Sequence, residues 1–319
     1  MFRTFRIATY ASLLALSGGF AASATAAELN VVASFSIIAD LAKNVGGERV
    51  EVKTLVGPDG DAHVYEPRPA DAVALEAANV VLVNGLELEG FMKRLIETSG
   101  TKAPVVEVTK GIEPLKAEEE HHHAHEGGEK KEAGHEDHHH HHGEFDPHAW
   151  QSIHNGEIYV KNIADAFCET DKAGCATYTA NAEAYLAKLE ALEKDVKAAI
   201  AEIPADKRTI ITTHDAFGYF EHDYGLKFIA PEGISTEAEA SAADVAKLID
   251  QVKEDKASAL FLENITNPRL IEQISAETGI KVGGTLYSDA LSGEDGPAST
   301  YIDMFRHNVK TLKAAILGS

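Results

Sequence analysis

Four short segments of this 319-residue chain carry side chains able to bind a metal ion, and each follows a run that reads as a β-strand or a loop beside one. In Gly57-Pro58-Asp59-Gly60-Asp61-Ala62-His63-Val64-Tyr65-Glu66-Pro67, a Gly/Pro loop, His63 is the only imidazole. In Asp146-Pro147-His148-Ala149-Trp150, proline stiffens the backbone before His148, and the only Trp of the chain follows it. Thr212-Thr213-His214-Asp215-Ala216-Phe217-Gly218-Tyr219-Phe220 places His214 at a strand-to-helix junction, and Leu286-Tyr287-Ser288-Asp289-Ala290-Leu291 places Asp289 after the last strand. Taken singly, a loop histidine is more often solvated or hydrogen-bonded than a ligand. Taken together, His63, His148, His214 and Asp289 supply three nitrogen donors and one carboxylate. That is a closed set of the kind that holds Zn²⁺ tetrahedrally with bonds of about 2.0–2.2 Å. Such a set has no open position for an activated water, so the residues point to capture of an ion rather than catalysis. Imidazoles must be neutral to ligate, so binding is expected to weaken steeply below about pH 6.

Other residues are weaker candidates. His154 lies one to two helical turns beyond His148, His222 sits late in an amphipathic helix and His307 in the C-terminal helix, and each reads as structural or solvated. Asp215 and Tyr287 are as good a helix cap and core aromatic as they are partners that orient a ligating ring, and the Glu263-Asn264 pair at a strand end has the same status.

These segments must be positioned by the elements around them. Short β-branched runs alternate with amphipathic stretches, a pattern of α/β units with mostly parallel strands, and it occurs twice. The first half predicts strands over Asn30–Ser34, Val50–Val56, Val80–Asn84 and Val105–Val108, with helices over Ile37–Val45, Ala70–Ala77 and Leu88–Thr98. The second half predicts strands over Thr209–Thr213, Lys227–Ala230, Ala259–Glu263 and Lys281–Thr285, with helices over Ala216–Tyr224, Ala242–Glu254, Arg269–Thr278 and Pro297–Leu317. Between them, Tyr178, Ala182, Tyr185, Leu189, Leu192, Val196, Ala199 and Ile203 recur at three- and four-residue steps without a Gly or Pro. They predict one long helix ended by Pro204, a spine packing on both halves. Open parallel sheets take ligands outside the carboxyl ends of their strands, which is where the four segments fall. The expected division is a leader over 1–27, a first lobe over 28–175, the linking helix over 176–203 and a second lobe over 204–319.

The leader reading rests on Arg3 and Arg6 ahead of an apolar stretch from Ile7 to Phe20 and a small-residue run to Ala27, the pattern of a secretory signal peptide. It implies export to the periplasm. With 29 basic against 51 acidic residues, nucleic acid and anionic membrane are disfavoured partners, and a cationic ligand is compatible. In an oxidising compartment Cys168 and Cys175, the only two cysteines, are expected to pair. Residues 117–143 hold ten histidines and eight acidic residues with almost nothing apolar, so they cannot build a core. His121, His122, His123, His125, His135, His138, His139, His140, His141 and His142 are expected to bind further zinc weakly, apart from the main site.

Together the Asp61–Pro67 loop, Asp146-Pro147-His148, Thr213–Tyr219, Asn267-Pro268-Arg269 and Tyr287–Leu291 resemble the metal receptors of bacterial zinc and manganese ABC importers, across essentially the whole mature chain. The resemblance implies two α/β lobes bridged by a long helix, with ligands at His63, His148, His214 and Asp289. It also implies a membrane permease as partner, a monomeric receptor and no enzymatic activity. Zinc members carry His at the third position where manganese and iron members usually carry Glu, and this chain has His214. Some zinc members add a carboxylate just before the first ligand, where this chain has Ala62. The alternatives are a manganese or iron receptor of the same family, a secreted zinc hydrolase, or an adhesin or zinc buffer built around the histidine tract. Against the hydrolase, none of the predicted helices carries a His-Glu-x-x-His motif.

Overall fold

A computed structural model describes residues 28–117, 143–238, 240–255 and 257–318. The leader and the ten histidines of the insertion lie outside the described residues.

Both halves build the same unit. The first sheet contains β1 (Leu29–Phe35), β2 (Val50–Val56), β3 (Val80–Val83) and β4 (Val105–Glu107) in the order β2-β1-β3-β4. The second contains β5 (Thr209–Ile211), β6 (Lys227–Ile229), β7 (Ala259–Glu263) and β8 (Val282–Leu286) in the order β6-β5-β7-β8. Every pairing is parallel. Central strands are apolar at nearly every position, as β1 and β3 show, because helices cover both sheet faces. In each sheet the strand order reverses beside its first strand, and the resulting crevice opens at the carboxyl ends.

The helices of the first half are α1 (Ser36–Gly46), α2 (Pro69–Glu76) and α3 (Met92–Ser99). Helix α3 starts four residues later than the sequence predicts. Gly85, Leu86 and Glu87 have φ values of 86°, 53° and 63°, a left-handed run that holds the chain out of the helix. A helix absent from the sequence reading, α4 (Ile153–Thr170), follows the His148 segment and packs along the spine, α5 (Cys175–Ala201). Gly156 of α4 faces Tyr301, and a Cβ there would stand 2.5 Å from its hydroxyl. The spine buries Tyr178, Ala182, Tyr185, Leu189, Leu192, Val196 and Ile200. It ends before Ile203, which is nevertheless buried.

Cys168 near the end of α4 is bonded to Cys175 at the start of α5, as expected. Asp171 in the same corner accepts from Arg49 at 2.6 Å and from the Tyr178 hydroxyl at 2.8 Å, so the junction is held by more than the disulfide.

The second half adds α6 (Gly218–Tyr224), α7 (Ala242–Asp255), α8 (Arg269–Thr278) and α9 (Tyr301–Leu317). Helix α9 begins at a Thr300 N-cap whose side chain accepts the Asp303 N–H, which fixes its start four residues beyond the predicted Pro297. One apolar core runs from β1 and α1 through the spine to β7, α6 and α9, so it joins the two sheets. A separate cluster under α7 and α8 contains Val245, Leu248, Ile249, Val252, Ile271 and Ile274. Among the described residues no helix is long and apolar enough to cross a membrane.

Candidate metal centre

The carboxyl ends of the two sheets face one another, and the four expected side chains come from the loops there. His63 follows β2. Its backbone N–H donates to Asp61 Oδ1 at 2.8 Å, and Asp61 Oδ2 accepts from Thr236 in the second half at 2.6 Å. His148 follows an antiparallel bridge between Lys116 and Phe145 that closes the ends of the insertion. The carbonyl before it, on Pro147, accepts from the Asn84 amide at 2.9 Å.

His214 follows β5, which is two residues shorter than predicted because the Thr213 and His214 N–H groups leave the sheet. Both donate to Glu263 Oε1, at 2.7 and 2.9 Å. Glu263 ends β7, so this pair sits in the crevice where the strand order of the second sheet reverses. Asp289 follows β8.

All four side chains are buried, and one ligand atom from each lies within 4.8 Å of the others. His63 Nε2 is 3.2 Å from His148 Nε2 and 3.2 Å from Asp289 Oδ2. His214 Nε2 and His148 Nε2 are 3.2 and 3.6 Å from the same oxygen. Four donors bonded at about 2.0–2.2 Å around one tetrahedral ion stand roughly 3.3–3.6 Å apart, so the spacing fits a first-row divalent ion. The second oxygen of Asp289 is buried without a hydrogen-bond partner among protein atoms, and it is free to serve as a further donor.

Two of the rings are backed by carboxylates on their far edges. Asp146 Oδ1 lies 2.7 Å from His148 Nδ1 and also accepts the His148 backbone N–H at 2.9 Å. Glu263 Oε2 lies 2.6 Å from His214 Nδ1, an electrostatic contact whose angles fall short of a hydrogen bond. These contacts turn Nε2 of each ring toward the common centre. Gly218 has no side chain for a local reason, since a Cβ there would stand 2.6 Å from Asp146 Oδ2.

The charges reinforce one another. Burial works against a charged ring at His148, but Asp289 and Asp146 outweigh it and push its pKa up to about 9. Burial is likewise overcome at His214, where Glu263 and then Asp289 raise the pKa well above the usual imidazole range. Asp289 resists burial through the imidazoles of His214 and His148, which hold its carboxyl well below the usual range. Three carboxylates around three imidazoles make a cradle with an excess of negative charge, which suits a cation.

The other sequence candidates fall elsewhere. His154 and His222 are exposed, with His222 beside Asp223 at 2.7 Å, and His307 contacts the Thr285 carbonyl at 3.0 Å. The Asp215 N–H donates to the Gly233 carbonyl, and the Tyr287 ring stands edge-on to His307. Asn264 donates to Asp59 at 2.9 Å across the crevice. Glu263 takes the role left open for it. The sequence alone assigns Asp146 no role, although its spacing of two residues from His148 allows the double contact with that residue. Ala62 is fully buried in the core, and no second carboxylate stands in its place.

Comparison with known proteins places these features in one family. Residues 31–315 match the family model described as "Zinc-uptake complex component A periplasmic". The chain is 35% identical over 290 residues to the iron-binding protein YfeA of Yersinia pestis, covering 91% of this chain and 87% of that protein. It is 33% identical to the manganese-binding lipoprotein MntA of Bacillus subtilis, covering 91% and 90%. Among solved structures, the periplasmic zinc binding protein TroA of Treponema pallidum superposes with a TM-score of 0.80 at 30% identity, covering 91% of this chain and 99% of that one. A manganese-bound periplasmic metal binding protein of Candidatus Liberibacter asiaticus gives 0.75 at 29% identity, covering 89% and 98%. The chain therefore belongs to the zinc-uptake component A family and is a metal-binding substrate-binding protein of an ABC transporter.

Proposed function

We propose that this protein is a periplasmic receptor that captures a single Zn²⁺ between its two lobes through His63, His148, His214 and Asp289 and delivers it to the permease of its importer. The observation that carries this reading is the convergence of three Nε2 atoms and one carboxylate oxygen, from loops of both halves, at the spacing of a tetrahedral ion. A nitrogen-rich set favours Zn²⁺ over Mn²⁺, and Zn²⁺ stands well above Mn²⁺ in affinity for such donors. Export rests on the leader pattern and on the periplasmic relatives. The receptor acts as a monomer, with the metal as cargo.

The same geometry supports binding rather than hydrolysis. Four protein donors fill a tetrahedral set, and the two adjacent carboxylates, Asp146 and Glu263, are engaged at the far edges of the rings. Neither is positioned as a base beside a metal-bound water.

One observation favours a second reading as a manganese or iron receptor. The unpartnered Asp289 oxygen permits a fifth donor, and relatives are named for iron and manganese. Metal analysis of protein purified without added metal, followed by competitive titration, separates the two. One equivalent of zinc and a preference for Zn²⁺ over Mn²⁺ is the expected result, and manganese or iron with the reverse preference would establish the second reading.

A further inference from the structure

The peptide just before Asp289 is held by side chains that follow His148. Trp150 Nε1–H and the Gln151 amide both donate to the Ser288 carbonyl oxygen, at 2.8 and 2.7 Å, across 138 and 137 positions of sequence. Strand β8 ends at Leu286. The carbonyl therefore has its acceptor capacity filled by two side chains instead of a sheet ladder. Trp150, Gln151 and Ser288 are all buried.

The Trp150 donor is itself fixed. The Trp150 ring packs on Phe35 with centroids 4.9 Å apart and stands edge-on to His148 at 5.3 Å. Its backbone carbonyl accepts from the Tyr301 hydroxyl at 2.6 Å. Beyond Asp289, the Leu291 N–H donates to Ser36 Oγ and the Leu291 carbonyl accepts from the Asp59 N–H, each at 2.9 Å. Asp289 belongs to the second half by sequence, and the Ala290 carbonyl accepts from Asn264 of that half at 3.2 Å, yet the Ser288 carbonyl is fastened to the His148 segment and Leu291 to the start of α1 and the loop after β2.

We infer that Trp150 and Gln151 are positioning residues for Asp289, acting through the Ser288 carbonyl. They make His148 and Asp289 one preassembled half of the metal site. Holding a loop in its binding geometry before the ion arrives removes an ordering cost from binding. Without the two donors the Ser288 carbonyl loses both of its partners, and the turn that carries the carboxylate is held only by Asn308 at Tyr287, Asn264 at Ala290 and the contacts of Leu291. The inference rests on the reading of Asp289 as a ligand.

A double-mutant cycle in the full chain tests it, with Gln151→Leu, Trp150→Phe and Asp289→Ala alone and combined. Zn²⁺ affinity is read by competition with a chelator, and Co²⁺ absorption reports coordination geometry. Trp150→Phe removes the donor and keeps an aromatic ring at the site but leaves a small cavity, so Gln151→Leu is the closer match in size. Melting of each metal-free variant reports the fold. Each single clamp variant is expected to weaken zinc about 10-fold or more and to lower the intensity of the Co²⁺ bands as water enters the coordination sphere. In the Asp289→Ala background neither should weaken zinc further by more than about 2-fold. Equal losses in both backgrounds, or an unaltered Co²⁺ spectrum, would overturn the positioning role while leaving Asp289 a ligand. Unchanged affinity in Asp289→Ala alone would instead overturn the ligand reading, and the positioning role with it.

Discussion

Asp146 and His148 are two residues apart, and a single oxygen of Asp146 contacts both the backbone N–H and the ring Nδ1 of His148, at 2.9 and 2.7 Å. Pro147 between them limits the backbone to conformations near this turn. The carboxylate does two things at once: it aims Nε2 at the centre of the site, and it favours a proton on the ring.

That second effect sets the pH dependence. His148 has its pKa pushed up to about 9 and His214 lies well above the usual range, so the unloaded protein holds a proton on each ring beyond the one at Nδ1 at neutral pH. Incoming metal must displace both, and affinity keeps rising with pH through about 9, where His148 titrates. Calorimetry in buffers of different ionisation enthalpy is expected to show close to two protons released per Zn²⁺ at pH 7. Apparent affinity should fall toward 100-fold per unit as pH drops from 8 to 6. The loss begins well above the pH 6 expected for unperturbed imidazoles. Release of fewer than one proton would show that the carboxylates do not hold these rings charged.

The same shifts govern the stability of the unloaded protein. A raised His pKa stabilises the fold below the unfolded value of about 6.5 and loses that contribution as pH rises through the folded value. The depressed Asp289 stabilises above about 3.9 and loses its contribution as pH falls through its own folded value. Melting of the unloaded protein should therefore decline between pH 7 and 10, and added Zn²⁺ should reverse the decline. A melting temperature that climbs over this range would contradict the charged pairing.

Asp146→Asn and Glu263→Gln keep the size of the side chains and remove their charge. Each is expected to lower Zn²⁺ affinity by about 10- to 100-fold, the usual cost of losing a group that orients a ligand. Measured affinities within 2-fold of the parent would show that the rings are oriented by packing alone.

His214 decides the nitrogen content of the site. His214→Glu adds an anionic oxygen donor able to bind through both oxygens, so the ratio of Zn²⁺ to Mn²⁺ affinity should fall, even if zinc remains the stronger binder. The check is competitive titration of both ions against parent and variant, and an unchanged ratio would remove His214 from the ligand set.

Much of this was legible in the sequence because the four proposed ligands lie in loops rich in Gly, Pro and Asp between strongly periodic elements. The repeated strand and helix pattern places those loops at one end of two parallel sheets, and the spine helix announces itself by seven turns of unbroken apolar stripe. Helix α4 was not legible. Its buried face includes Asn155 and Gly156, which blur the periodicity, and Gly156 is explained by the close approach of Tyr301, a contact made across the chain. The Ser288 carbonyl was hidden for the same reason, and the role of Glu263 stayed open: what they touch is set by tertiary packing between strands and loops distant in sequence.

The disulfide and the insertion make separate claims. The Cys168–Cys175 loop is short, so reduction should cost on the order of 2 kcal/mol, at the low end for disulfides. Denaturant midpoints with and without reductant measure it, and an unchanged midpoint would show that the Arg49–Asp171 pair alone secures the junction. Because Ala117 N–H bonds to the Glu144 carbonyl at 3.1 Å, the ends of the insertion already meet. Deleting residues 118–142 and joining the ends by a short link should lower total zinc stoichiometry and leave one tight site. Loss of the tight site would show that the insertion supplies a ligand.

Capture of zinc by these four side chains is tested by anomalous diffraction at the zinc edge from crystals of protein loaded with one equivalent of Zn²⁺. One strong peak is expected about 2.0–2.2 Å from His63 Nε2, His148 Nε2, His214 Nε2 and Asp289 Oδ2. A strong peak bound elsewhere, with these four side chains contacting only one another, would contradict it.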